Sequence, residues 1–269
     1  MNSPTTAGAD AGGYETFTLE RRGAVDWLTL ARPDALNAMN ARMITELAEY
    51  FAERMHDTAT RVIVLRAAGR AFCAGLDIKE MSGLIQDLDA TARMRFQQRL
   101  SSIFASMRRS PQPIVCLVQG AASGGGFALA LASDLRYCTP DARMNAAFIR
   151  VGLSGCDVGM SYLLPRALGT SVATELLMTG SFLDANRALA LGFVSGIVPA
   201  AELEAAGERM ADALLQADPL GLALTKQGLQ VGVDAPSLES AIANEDRQQA
   251  LLSGADGFRA RMRAVLARK

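Results

Sequence analysis

Ile114–Thr139, IVCLVQGAASGGGFALALASDLRYCT, joins a short apolar run to three consecutive glycines, a second apolar run and a return to strand-like sequence. "IVCLV" (114–118) is β-branched and bounded by Pro113 and Gly120, which reads as a strand buried on both faces. Phe127 to Ala132 carries no charge and no hydroxyl, so the helix it forms is apolar all round and buried. "DLRYCT" (134–139) is a further strand. At a strand-to-helix junction the first helical N–H groups have no intrahelical acceptor, and the helix dipole is positive there. Glycines at that point let bare backbone approach a ligand with no side chain in the way.

The same order occurs upstream. "RVIVLRA" (61–67) reads as a buried strand, and "AFCAGLDIKEM" (71–81) is a loop that enters a helix. Two such loops side by side aim two N–H groups at one point, the geometry of an oxyanion hole. Neither loop carries the spacing of a dinucleotide fingerprint or a P-loop. Outward from these segments, "TFTLERRGAVDWLTLARP" (16–33) reads as two strands turning near Gly23. Asn40–His56 is an amphipathic helix with Met43, Leu47, Tyr50 and Phe51 on one side, and Gln97–Met107 is another helix, ended by Pro111 and Pro113. From Gly159 to Lys269 the pattern is helical, apart from a short strand in "FVSGIVP" (193–199). Alternating strands and helices predict an α/β layered core. The C-terminal helices form an appendage packed on that core or on a partner subunit.

Composition narrows the function. The chain has 269 residues, 50% of them hydrophobic, and a formal net charge of -1. It suits one large domain, or one domain with an appendage, and gives no global attraction to nucleic acid or anionic lipid. No apolar run approaches the roughly 20 residues that span a bilayer. The first 13 residues have no basic or apolar region, exclude a signal peptide and read as a disordered tail. Cys73, Cys116, Cys138 and Cys156 form no CxxC pair, so neither a zinc site nor a disulfide framework is legible and a cytoplasmic location is expected. His56 is the single histidine, which excludes multi-histidine metal sites and argues against a Ser-His-Asp triad; it is expected to be exposed. Cys156 reads as a small buried residue rather than a nucleophile, having no histidine near it in sequence.

Taken together, "RPDALNAMN" (32–40), "AFCAGLDIKEM" (71–81), "GAASGGGFALALASDLRYC" (120–138), "GLSGCDVGMSYLLPRALG" (152–169) and "MTGSFLDANRALALGFVSGIVP" (178–199) resemble the crotonase, or enoyl-CoA hydratase/isomerase, superfamily. The resemblance implies an α/β fold, a spiral of ββα units over 14–200, with a helical trimerisation region over 201–269 and a homotrimer or homohexamer. It implies acyl-CoA thioester substrates and an enolate held by two backbone N–H groups, which fall at Leu76 and Gly125. Coenzyme A is then part of the substrate, with no separate cofactor and no metal. Leu76, Asp77, Ile78 and Lys79 resemble the CoA-contacting segment, with Lys79 the natural partner for a phosphate. Asp34 stands where members often carry a basic residue. The basic run "FRARMRAVLARK" (258–269) reads as a solvated face or as part of a CoA phosphate pocket in a neighbouring subunit.

The departures matter as much. The two glutamates of the well-known hydratases correspond here to Ala128 and Phe148, neither of which transfers a proton. Asp157 falls near an aspartate of the dienoyl-CoA isomerase and dehalogenase branches. Its residue type equally suits the N-cap of a helix beginning near Val158, and the two roles can coexist. The resulting expectation is an acyl-CoA enzyme that hydrates or isomerises an enoyl-CoA, with a non-catalytic acyl-CoA-binding homologue as the alternative.

Overall fold

The computed structural model describes residues 13–267, so the expected N-terminal tail, apart from Gly13, lies outside the described residues. Its elements run β1 (Phe17–Arg22), β2 (Val25–Leu30), α1 (Ala41–Glu53), β3 (Val62–Ala67), α2 (Ile78–Asp87), α3 (Ala90–Arg109), β4 (Ile114–Val118), β5 (Ala121–Ser123), α4 (Gly125–Ala132), β6 (Leu135–Cys138) and β7 (Arg143–Asn145). They continue through α5 (Met160–Leu168), α6 (Thr170–Thr179), β8 (Leu183–Asp184), α7 (Ala185–Ala190), β9 (Gly196–Ile197), α8 (Leu203–Leu215), α9 (Pro219–Val233), α10 (Leu238–Ser253) and α11 (Asp256–Leu266). The larger sheet has the order β1-β2-β3-β4-β6-β9, the smaller β5-β7-β8. Only the β1–β2 edge of the larger sheet is antiparallel. The chain passes from β4 to β5 and from β6 to β7, then back from β8 to β9, leaving one strand in each sheet per pass with helices between. This is the expected α/β spiral.

The sheet is double-faced because its central strands are apolar throughout Val62–Leu65 and Ile114–Val118. Val62, Val64, Val115 and Leu117 point to one face with Trp27, while Ile63, Leu65, Ile114, Cys116 and Val118 point to the other. Strands with both faces covered have no polar alternation. The second face packs under α1, α3 and α4, through Met43, Leu47, Phe51, Ile103, Met107, Phe127 and Leu131. The first face packs under α8, through Leu203 and Ala211. The boundary expected at residue 200 therefore cuts through the core: α8 is the cover of one sheet face and belongs with it.

The helix expected from Gln97 begins earlier, at Ala90, where the Asp89 side chain accepts a hydrogen bond from Ala92 N. Its first turns are exposed and polar, so the apolar spacing that marks a helix in sequence starts only near Phe96 and Leu100. Beyond α8, helices α9–α11 leave Leu229, Val233, Leu238, Leu251 and Leu266 exposed. Among the described residues no helix is long and apolar enough to cross a membrane.

One buried cation fastens α9 to the core. Lys226 Nζ lies 2.8 Å from Asp134 Oδ2 and donates to the carbonyls of Met107 (3.1 Å) and Gln112 (2.8 Å). Burial pushes its pKa below the usual lysine range, opposed by Asp134. Asp134 in turn accepts from Ile114 N, at the start of β4, and pairs with Arg108 near the end of α3. Replacing Lys226 by Ala leaves a carboxylate and two carbonyls without this donor. We expect Lys226→Ala to lose about 3 kcal/mol in denaturant unfolding with the secondary structure retained.

Candidate active site

The site begins where two loops are sewn edge to edge. Phe72 N donates to Gln119 O (2.8 Å), Cys73 N to Ala121 O (3.1 Å) and Ser123 N to Cys73 O (2.9 Å). A second seam joins Met39 N to Gly75 O (2.7 Å) and Asp77 N to Met39 O (3.0 Å). The glycines set the spacing. A Cβ on Gly126 would lie 2.2 Å from Cys73 O and 2.8 Å from Cys73 Cβ. One on Gly75, where φ is 93°, would lie 2.8 Å from Ser123 O. Such distances are far inside van der Waals contact, so any larger residue forces the two loops apart.

The seam does not take up every donor. Among the described residues, neither Leu76 N–H nor Gly125 N–H meets a protein acceptor. Leu76 sits between the two hydrogen bonds of the Met39 bridge, so its N–H turns away from that strand. Gly125 is the first residue of α4, whose N-cap, Gly124, offers no side chain to occupy the helix end. Both residues line one cavity of about 650 Å³. The eight residues of α4 are all buried behind Gly125, so its positive end faces that cavity from a region without competing solvent.

The rest of the lining is apolar: Ile78 and Ile85 of α2, Met94 and Leu100 of α3, and Phe148 and Leu153 of the following loop. Three polar side chains interrupt it, Arg93, Gln97 and Asp157. Asp157 is the one carboxyl group among the described lining residues. Its Oδ1 accepts from Gln97 Nε2 at 2.5 Å and from Val158 N at 2.8 Å. Burial raises its pKa above the ordinary carboxylate range, and these two hydrogen bonds partly oppose the shift. Asp157 does not cap a helix. Val158 at φ 42° and Gly159 at φ 88° bend the chain first, and α5 starts at Met160 with Gly159 as its N-cap. The cap expected near Val158 is therefore absent. A β-branched residue in the left-handed region is strained, and here the bend turns Asp157 into the cavity.

Other predicted residues are placed differently. Phe148 lines the cavity, its ring 3.4 Å from where a Cβ on Gly124 would stand, whereas Ala128 is buried one turn into α4 and does not line the cavity. Asp77 Oδ1 caps α2 by accepting from Glu80 N, and its Oδ2 lies 3.0 Å from Arg32. Lys79 is exposed on the first turn of α2, outside the lining. His56 is exposed as expected; Cys156, read as buried, is exposed because it lies on the outside of the bend. Gln97 went unread as a site residue. It is 60 positions from Asp157 in the chain, and a polar residue on a partly exposed helix gives no signal of what it faces. A roomier groove of about 930 Å³, between α3, α5 and α9, contains none of the predicted site residues.

Residues 20–263 match the family described as Enoyl-CoA hydratase/isomerase. A protein named "Probable enoyl-CoA hydratase" from Mycobacterium tuberculosis is 37% identical over 228 residues, 83% of this chain and 80% of that protein. The 1,2-epoxyphenylacetyl-CoA isomerase of Escherichia coli is 30% identical over 246 residues, 90% of this chain and 92% of that protein. The crystal structure of an enoyl-CoA hydratase from Mycobacterium smegmatis superposes with a TM-score of 0.87 at 30% identity, over 95% of this chain and 97% of the other. The chain belongs to the enoyl-CoA hydratase/isomerase family, and it is an enzyme of hydratase/isomerase type.

The seam predicts a sharp contrast between glycines. Gly126→Ala must displace the Cys73 backbone, and we expect a loss of about 2 kcal/mol or more in denaturant unfolding. Gly83, inside α2, has nothing within 4 Å of its would-be Cβ. Gly83→Ala is expected to be neutral or stabilising in the same measurement.

Proposed function

We propose that this member of the enoyl-CoA hydratase/isomerase family moves a double bond along the acyl chain of an enoyl-CoA, with Asp157 as the sole acid/base and Leu76 and Gly125 as the oxyanion donors. The observation that carries this reading is the presence of a single carboxyl group in a cavity that also receives two free backbone donors. For a β,γ-enoyl thioester, the Asp157 carboxylate takes a proton from the α-carbon. The electron pair moves into the thioester and onto its oxygen, giving a dienolate held by Leu76 N–H and Gly125 N–H. The carboxyl group then returns the proton to the γ-carbon, leaving the α,β-enoyl thioester. One group carries one proton out and back, and no water is consumed.

Hydration asks more of a site. A water must be held and deprotonated while a proton is delivered to the neighbouring carbon. The positions that carry the two glutamates in the well-known hydratases are here the phenyl ring of Phe148 and the buried methyl of Ala128. The apolar lining around Asp157 also disfavours an ordered water, which needs several polar partners. A burial-raised pKa suits a group that must both take up and release a proton. On the CoA side, Leu76 and Ile78 lie at the cavity, and the exposed Lys79, next to Ile78 in the chain, is our candidate for a phosphate contact. The exposed apolar side chains of α9–α11 support the expectation of a homotrimer or homohexamer.

β,γ-Enoyl-CoA should be converted to its conjugated isomer, read by ultraviolet absorbance, faster than α,β-enoyl-CoA takes up water; the reverse order would replace this reading with a hydratase, and neither reaction with a binding protein. Asp157→Asn should lower kcat by about 10²- to 10⁴-fold. Gly125→Pro deletes the N–H, and its Cβ must displace Met39 Sδ, which would lie 2.8 Å away; the folded variant should have a kcat lower by about 10²- to 10³-fold. The acidic limb of kcat/KM should lie above the ordinary carboxylate range and vanish in Asp157→Asn. The stability sign is the opposite of a salt-bridged aspartate. A raised folded pKa contributes stability at pH below the unfolded value, and this is lost as pH rises through the folded value. At neutral pH, Asp157→Asn should therefore melt no lower than the parent protein.

A further inference from the structure

The two oxygens of Asp157 are used unequally. Oδ1 accepts both hydrogen bonds, from Gln97 Nε2 at 2.5 Å and from Val158 N at 2.8 Å. Among the described residues Oδ2 accepts none. We infer that Gln97 is a positioning residue that grips Oδ1 from α3, across the cavity, and dedicates Oδ2 to proton transfer. This rests on the reading of Asp157 as the acid/base.

The Val158 bond joins neighbours in the chain and cannot by itself fix the carboxyl group against the substrate. Gln97 reaches it from a separate element, and α3 is anchored one turn further on by the buried Leu100. The amide also suits both protonation states. While Asp157 is ionised, Gln97 makes a charge-assisted hydrogen bond to Oδ1. When Oδ2 holds the proton, Oδ1 is the carbonyl oxygen of the acid and still accepts the same N–H. The support is therefore kept, not rebuilt, as the proton is taken and returned, which holds reorganisation low. A lysine at this place would instead favour the ionised form by its full charge.

Few charged groups compete with this control. Arg93, one turn before Gln97 on α3, is the only other charged lining residue, and Cys156 adjoins Asp157 in the chain. The lining residues from α2, from the glycine triplet and from 147–153 carry no titratable group. Burial raises the Asp157 pKa and Gln97 opposes that rise, so removing Gln97 should raise it further.

Gln97→Met keeps the size and helical preference of the side chain and deletes the donor. We expect kcat for double-bond migration to fall about tenfold with KM little changed, and the acidic limb of the pH profile to move to higher pH. Gln97→Glu, which is nearly isosteric, sets a like charge beside Asp157 and should move the limb further in the same direction; it keeps the test open should the methionine variant lose its fold. Because Gln97 acts through Asp157, the Asp157→Asn, Gln97→Met double variant should turn over no more slowly than Asp157→Asn alone. An unmoved limb in both Gln97 variants, or losses that multiply in the double variant, would overturn the inference while leaving Asp157 in place. Full turnover by Asp157→Asn would remove the acid/base reading and this inference with it.

Discussion

The contact between the backbone of Cys73 and that of Ser123–Gly126 is the constraint on which the site depends. Two strand-to-helix crossings come close enough to hydrogen-bond as neighbouring strands do, through the Cys73–Ala122 bridge. That approach requires Gly126 to present only hydrogen, because a methyl group would stand 2.2 Å from Cys73 O. Once the crossings are joined, Leu76 and Gly125 both lie at the cavity with N–H groups that meet no protein acceptor among the described residues. Buried N–H groups are almost always paired. In the proposed reaction the two beside this cavity receive the thioester oxygen.

The rest of the fold keeps that place rigid. The strands leading to the two crossings, β3 and β4, are adjacent and parallel in the centre of the sheet and buried on both faces. Their ends cannot move apart without disturbing the packing of α1 and α3 on one side and α8 on the other. Helix α4 is apolar all round because it is wrapped by this packing. A polar helix would need solvent or partners at that depth, and the dipole behind Gly125 would be screened. The identity of residues far from substrate is thus tied to the direction of one N–H group.

What the sequence discloses follows the range of the physics involved. Glycine acts on its own backbone, so the two strand-to-helix loops are legible from AFCAGLDIKEM and SGGGFALALA, and the α/β order is legible from strands as apolar as RVIVLRA. The pairing of Gln97 with Asp157 is not, because it depends on the path of α3 over the cavity. Nor is the start of α5. Asp157 followed by an apolar stretch has the local signature of a cap, and only the turn through Val158 and Gly159 in the left-handed region moves the helix to Met160. The role of α8 as a sheet cover is hidden for a related reason: an amphipathic pattern shows that a helix has a face to bury, not which surface receives it. Lys226 illustrates the converse, a lysine in a plain helical stretch that is buried against Asp134 and two carbonyls.

Several unfavourable features meet at one cavity. Asp157 is held where burial opposes its charge, Val158 adopts a backbone conformation that β-branched residues avoid, and two N–H groups go unpaired. The backbone conformation of Val158 costs on the order of 1–3 kcal/mol, and none of these features is needed to close the core. A protein selected for stability alone would turn the carboxyl group to solvent or replace it, relax Val158 into the helix and cap α4. The surrounding packing instead holds all of them within reach of one small volume, where Gln97 of α3 hydrogen-bonds the carboxyl group. In the proposed mechanism the same low-polarity lining that raises the pKa of Asp157 strengthens the pull of Leu76 and Gly125 on a developing negative oxygen. Making the pocket more polar would ease the first and weaken the second, so acid/base poise and oxyanion stabilisation are set together by the apolar residues between them.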